Sequence, residues 1–153
     1  MTSRDGLEVR KEIFVARSQE DAFRIFTEEL GAWWPLATHS IYGDEAVDAV
    51  FEPESGGRLY ERTADGREAE WGRVIAWEPP SGFTISWKPN LDPDAPRTTY
   101  ELRFVAVGEQ QTRLELVHTG WEVFGDGAGD ARQGYDAGWD IVLDAFTAMT
   151  DHR

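Results

Sequence analysis

Two side chains in this sequence have the chemistry to pass a proton between fixed partners, His118 and Glu61. An imidazole near its unperturbed pKa exchanges a proton at neutral pH, and a carboxylate beside it would orient the ring. The plainer role, a hydrogen-bonded core histidine, is the one expected. Glu61 shares a strand face with Leu59, and spacing alone does not say whether that face turns inward. Covalent catalysis has no candidate: there is no cysteine, and no serine stands in a nucleophile-elbow context. His39 and His118 are isolated, His152 stands in the C-terminal tail, and no pair has the helical spacing of a zinc motif. No metal and no cofactor are expected.

Two further patterns imitate sites. Asn90, Asp92, Asp94 and Glu101 fall at positions one, three, five and twelve of a calcium loop. The turn that such a loop needs is spoiled by Ala95 at position six and by Pro93 and Pro96. Gly125, Gly127 and Gly129 suggest a phosphate cradle before a helix, but Asp126 and Asp130 would repel the anion. A lid over a pocket is the better expectation for that loop.

The stronger signal is aromatic. Seven tryptophans in one small chain either fill a core or line a pocket, since each offers a large apolar surface and one N–H that needs a partner. Alternation places Tyr100, Leu102 and Phe104 on one strand face and Leu114, Leu116 and His118 on one face of its neighbour. Trp87, Trp121, Tyr135 and Trp139 can converge on the same space, with Trp33 and Trp34 at its mouth. The ligand-binding set expected from these patterns is Trp33, Trp34, Phe51, Tyr60, Trp71, Trp87, Tyr100, Leu102, Leu116, His118, Trp121, Tyr135 and Trp139. An apolar cavity with a few polar groups is the usual form of a small-molecule site. A solid aromatic core is the alternative.

The elements that must position these residues can be read from period and punctuation. Val9 to Val15 reads as a strand. Ser18 caps a helix over Ser18 to Leu30, with Ala22, Phe23, Phe26 and Leu30 on one face and Gly31 as the stop. Pro35 disfavours helix at Trp34, so a loop or one short turn follows. Hairpin signals then separate strands near Val47–Glu52, Arg58–Arg62, Glu70–Trp77, Phe83–Trp87, Tyr100–Phe104 and Leu114–His118, with Asp65-Gly66 the clearest turn. Asp130 can cap a last helix whose stripe is Tyr135, Trp139, Val142, Leu143, Phe146 and Met149. Gly134 and Gly138 in that helix suggest a close approach to a neighbour. Strand, helix, antiparallel meander and long helix make an α+β architecture, and no linker or repeat divides the 153 residues into more than one domain.

The formal charge of −14 repels phosphate backbones and anionic lipid, so neither a nucleic acid nor a membrane is an expected partner. The first residues lack an apolar leader core, and no run is long and apolar enough to span a bilayer. A cytoplasmic location is the expectation.

Several motifs in order carry a family resemblance. They are Gly56-Gly57-Arg58-Leu59-Tyr60-Glu61, Glu70-Trp71-Gly72-Arg73-Val74, Trp77-Glu78-Pro79-Pro80, Phe83-Thr84-Ile85-Ser86-Trp87, Thr112 to His118, and Gly138-Trp139. This set resembles the START/Bet v 1-like (SRPBCC) superfamily, and within it the activator of Hsp90 ATPase homologue-1-like family. The resemblance implies a helix-grip fold: a curved antiparallel sheet of six to seven strands around a long C-terminal helix, with an internal cavity. Three functions are then in view. The first is non-catalytic binding of a small apolar or aromatic ligand. The second is a cyclase, aromatase or hydrolase using His118 as acid/base. The third is a chaperone-activator-like partner role, ranked last because nothing here corresponds to the chaperone-binding domain of the eukaryotic activator. A homodimer is left open.

Overall fold

The structure is a computed structural model that describes residues 8–151; His152 and the first seven residues lie outside the described residues. The chain enters on strand β1 (Val9–Val15) and passes to helix α1 (Gln19–Glu28), whose Ser18 cap accepts the Asp21 amide at 3.2 Å. The helix buries Ala22, Phe23, Ile25 and Phe26. It does not run on to Leu30 as predicted. Glu29 leaves helical geometry, and a separate turn, α2 (Leu30–Trp33), redirects Leu30 and Trp33 into the core. Gly31 is not the stop but part of that turn. A Cβ there would lie 1.9 Å from Asp48 Oδ1, so only glycine lets α2 rest on the neighbouring strand.

Six strands follow: β2 (Ala46–Phe51), β3 (Arg58–Thr63), β4 (Glu68–Glu78), β5 (Gly82–Trp87), β6 (Thr98–Gly108) and β7 (Gln111–Thr119). With β1 they form one antiparallel sheet in the order β1-β7-β6-β5-β4-β3-β2. The predicted alternation holds in the middle of the sheet, where Tyr100, Leu102 and Phe104 of β6 and Leu114, Leu116 and His118 of β7 are all buried. It fails at three of the four register shifts among the described strands, each an extra residue that period-two reading does not see. Val47 is extruded to 57 % exposure although its expected face-mates Ala49 and Phe51 are buried. Ile75 is extruded likewise, and Trp71 is left without a partner between the Leu59–Gly72 and Tyr60–Glu70 pairs.

Gly120, at φ 94°, turns the chain out of β7 into a 3₁₀ segment over Trp121–Gly127, which leads into helix α3 (Ala128–Asp151). Asp130 therefore sits inside the first turn and does not cap the helix. The stripe Trp139, Val142, Leu143 and Phe146 is buried, with Tyr135 and Met149 packed against the core. This curved sheet gripping a long C-terminal helix is an α+β helix-grip fold. None of the helices among the described residues is long and apolar enough to cross a membrane.

Candidate functional site

Between α3 and the sheet lies a cavity of about 530 Å³. Its walls are Trp34, Trp87, Tyr135, Trp139 and Val142, and its rim is formed by 38–41 and 89–91 with Gly138 of α3 opposite. The three indoles are locked by their own N–H groups. Trp34 Nε1 donates to the His39 carbonyl at 2.7 Å, Trp87 Nε1 to the Tyr135 hydroxyl at 3.1 Å, and Trp139 Nε1 to His118 Nδ1 at 2.9 Å. Every indole donor is thus spent on the protein, and the surfaces left to the cavity are rings.

Both rim segments are held from beneath by a buried charged side chain. Glu61 is fully buried, and its carboxylate accepts from the Ile41 amide (2.5 Å), the Tyr42 amide (2.8 Å) and Trp71 Nε1 (2.6 Å). The Trp71 bulge is what aims that indole at the carboxylate. On the other rim, the Lys88 ammonium, 8 % exposed, donates to the carbonyls of Asn90 (2.6 Å) and Asp92 (2.8 Å). The calcium-like spacing turns out to be loop-building. Asn90 Oδ1 accepts the Asp92 amide, Asp92 Oδ1 accepts the Asp94 amide, and Glu101 pairs with Arg103 on β6. No group of three or more potential metal ligands occurs among the described residues.

The two sequence candidates for acid/base chemistry do not meet. His118 is fully buried, its Nδ1 accepting from Trp139 and its Nε2 bonded to Thr98 Oγ1 at 2.7 Å. With Nδ1 an acceptor, Nε2 carries the proton and donates to Thr98. Burial pushes the ring's pKa down to about 3, which keeps it neutral. Both ring nitrogens are occupied, and Glu61 is occupied elsewhere, so neither reaches the cavity.

Of the thirteen residues expected to bind a ligand, four line the cavity: Trp34, Trp87, Tyr135 and Trp139. Trp71, Tyr100, His118 and Trp121 form the layer behind them, with Tyr100 4.9 Å from Trp139 and Trp71 5.0 Å from Trp34 between ring centroids. Leu102 and Leu116 lie in the packed centre of the sheet, and Trp33 and Phe51 belong to its solid end. Tyr60 stacks under the Arg58 guanidinium at 4.1 Å. The displacement has one cause: the Trp139 and Trp121 side chains cover Tyr100 and His118, so the free space begins one side-chain layer further out. The lining residues outside that expected set are the two rim segments, 38–41 and 89–91, with Gly138 and Val142 of α3. In the sequence His39 stands out only as an isolated potential metal ligand. The available signal was its place in a Thr-His-Ser triplet just after the Trp34-Pro35 break.

The family model for "Activator of Hsp90 ATPase homolog 1-like protein" matches residues 16–151. The chain belongs to that family. No curated protein matches the sequence of this AHSA1-like chain. Among solved structures it is similar to an anthrahydroquino-γ-pyrone synthase, Txn09, at 35 % identity over 84 % of this chain and 86 % of that one, with a TM-score of 0.60. It is similar to CalC, a self-sacrificing resistance protein from Micromonospora echinospora, at 29 % identity over 95 % and 94 %, with a TM-score of 0.71. An Hsp90 activator from Plasmodium falciparum shares the fold at 20 % identity over 73 % and 71 %, with a TM-score of 0.53.

Proposed function

We propose that this AHSA1-like protein binds a small, flat, largely aromatic molecule in the cavity under α3. The observation that carries the reading is the wall of three indoles whose N–H groups are all turned to protein acceptors. Such a wall rewards stacking and dispersion and offers little to a polar guest. Among the described residues no Lys or Arg lines the cavity, which argues against phosphate or carboxylate ligands. The likeness to a synthase named for an anthrahydroquino-γ-pyrone brings fused, flat ring systems into the range of ligands.

A second reading is catalytic, on the strength of the same likeness and of His39, whose Nε2 reaches the cavity. Under it, the group that moves a proton is His39 in place of the enclosed His118. The chaperone-partner reading rests on fold alone.

The test is a titration with anthraquinone, acridone and anthracene, following tryptophan emission and melting temperature. Saturable quenching is expected, because Trp34, Trp87 and Trp139 face the guest. If none of the three alters emission or melting, the binding reading is lost.

A further inference from the structure

Resting on that reading, we infer that the guest is a hydroxyaryl ketone, its hydroxyl donating to His39 Nε2 and its carbonyl accepting from the Tyr135 hydroxyl, with Gly138 keeping the approach open.

The polar groups around the cavity are nearly all committed. Ser40 Oγ donates to the Leu36 carbonyl at 2.6 Å and accepts the Gly43 amide at 2.8 Å. Asn90 Oδ1 holds the Asp92 amide, and the indoles are bound as described. Besides the side-chain NH2 of the exposed Asn90 on the rim, two groups among the described residues keep free capacity. His39 Nδ1 is bonded to Thr38 Oγ1 at 2.7 Å, while Nε2 has no hydrogen-bond partner among the described residues. The Thr38 hydroxyl also reaches the Pro35 carbonyl at 3.5 Å. We assign the Thr38 proton to that carbonyl, so that its lone pair takes Nδ1–H and Nε2 is left as an acceptor. Tyr135 is the mirror case. Its oxygen accepts from Trp87, and its own proton has no acceptor among the described residues. Burial raises the phenol's pKa, so it stays a donor.

Gly138 sets the geometry. A Cβ built on it would lie 3.7 Å from His39 Nε2, in ordinary contact and without a clash. The missing methyl therefore leaves the Nε2–Cδ2 side of the imidazole open to a guest. Tyr135 is one turn away on the same helix face, about 4.5 Å along the axis. One acceptor and one donor on the same aromatic-walled cavity match a flat ring system with a hydroxyl and a ketone. The absence of Lys and Arg among the lining residues favours the neutral phenol over its anion.

The probes are acetylnaphthol, its methyl ether and acetylnaphthalene, titrated at neutral pH against the full chain. Acetylnaphthol is expected to bind about tenfold more tightly than its methyl ether, the difference one good hydrogen bond makes. The ether can accept but not donate, so this preference reports Nε2 as an acceptor. His39→Phe should abolish the preference. Gly138→Ala should reduce it, by narrowing the approach to the ring, while leaving the melting temperature unchanged or higher, since alanine favours helix. Gly134→Ala, with nothing within 4 Å of its added methyl, should retain the preference. Tyr135→Phe should weaken all three ketones. Equal binding of phenol and ether by the wild type, or a preference surviving undiminished in both His39→Phe and Gly138→Ala, overturns the inference and leaves the aromatic-binding reading intact. Binding of no probe at all overturns both.

Discussion

The interior has two aromatic ends, made of the same residue types and put to different use. Under α1, Phe23, Phe26, Trp33, Phe51, Phe83, Phe104 and Phe146 pack against one another, with Phe26 4.7 Å from Trp33 and Phe51 4.8 Å from Phe83. Under the middle of α3, Trp34 stands 6.4 Å from Trp87 and 6.3 Å from Trp139, and the rings wall a space instead of filling it. What separates the ends is the cover. A helix with four apolar residues lies on the first, whereas hydrogen-bonded rim segments border the second. The two histidines follow the same division: His118 has both nitrogens satisfied in the packed layer, and His39 keeps one free at the cavity. Aromatic content alone therefore does not distinguish core from pocket.

Truncation should expose the contrast most strongly. Phe26→Ala is expected to cost about 3–5 kcal/mol in chemical unfolding, with no effect on how a bound aromatic stabilises what remains. Trp139→Ala should cost less, about 3 kcal/mol at the low end of that range, because one side of the ring already faces open space. It should also abolish the stabilisation by anthraquinone. Equal costs, with ligand stabilisation intact in Trp139→Ala, would erase the distinction between the ends.

The next effect is in pH. Burial pushes His118 from an ordinary pKa of 6.5 down to about 3, so the unfolded chain takes up a proton that the folded chain refuses. The stability due to its neutral form is complete above about pH 6.5 and declines as pH falls toward 3, by about 1.4 kcal/mol per unit. Wild type should lose roughly 2 kcal/mol from this source by about pH 5. His118→Gln should flatten the decline. Parallel curves for the two proteins would show that His118 is protonated in the folded state.

The smallest effect tests the rim. Glu61→Gln removes an acceptor from the Ile41 and Tyr42 amides and is expected to cost about 1–2 kcal/mol. Those two amides should exchange hydrogen faster than in wild type, and acetylnaphthol should bind more weakly. Unchanged protection at both would mean that Glu61 does not hold the segment carrying His39.

Much of the fold was legible in local pattern. The alternation through Leu114, Leu116 and His118 and the stripe from Tyr135 to Met149 each identify a buried face, because side-chain direction repeats with backbone period. Where an extra residue broke that period, at Val47, Trp71 and Ile75, the pattern misled. The site was less legible. Four of its aromatic walls were named in advance, but Glu61 was read as possible chemistry when it is a support, and His39 was passed over. Gly138 was singled out for a close approach, and its neighbour proved to be His39, while Gly134, marked in the same way, faces open space.

By itself, then, the sequence determined which residues face inward and in what order the strands and helices run, since both are properties of a segment and its immediate neighbours. Only the tertiary structure decided which inward residues are covered and which border empty space. A cavity exists where segments remote in the chain approach without touching, here the rims at 38–41 and 89–91 and one turn of α3. No periodicity within any one of those segments encodes the gap between them.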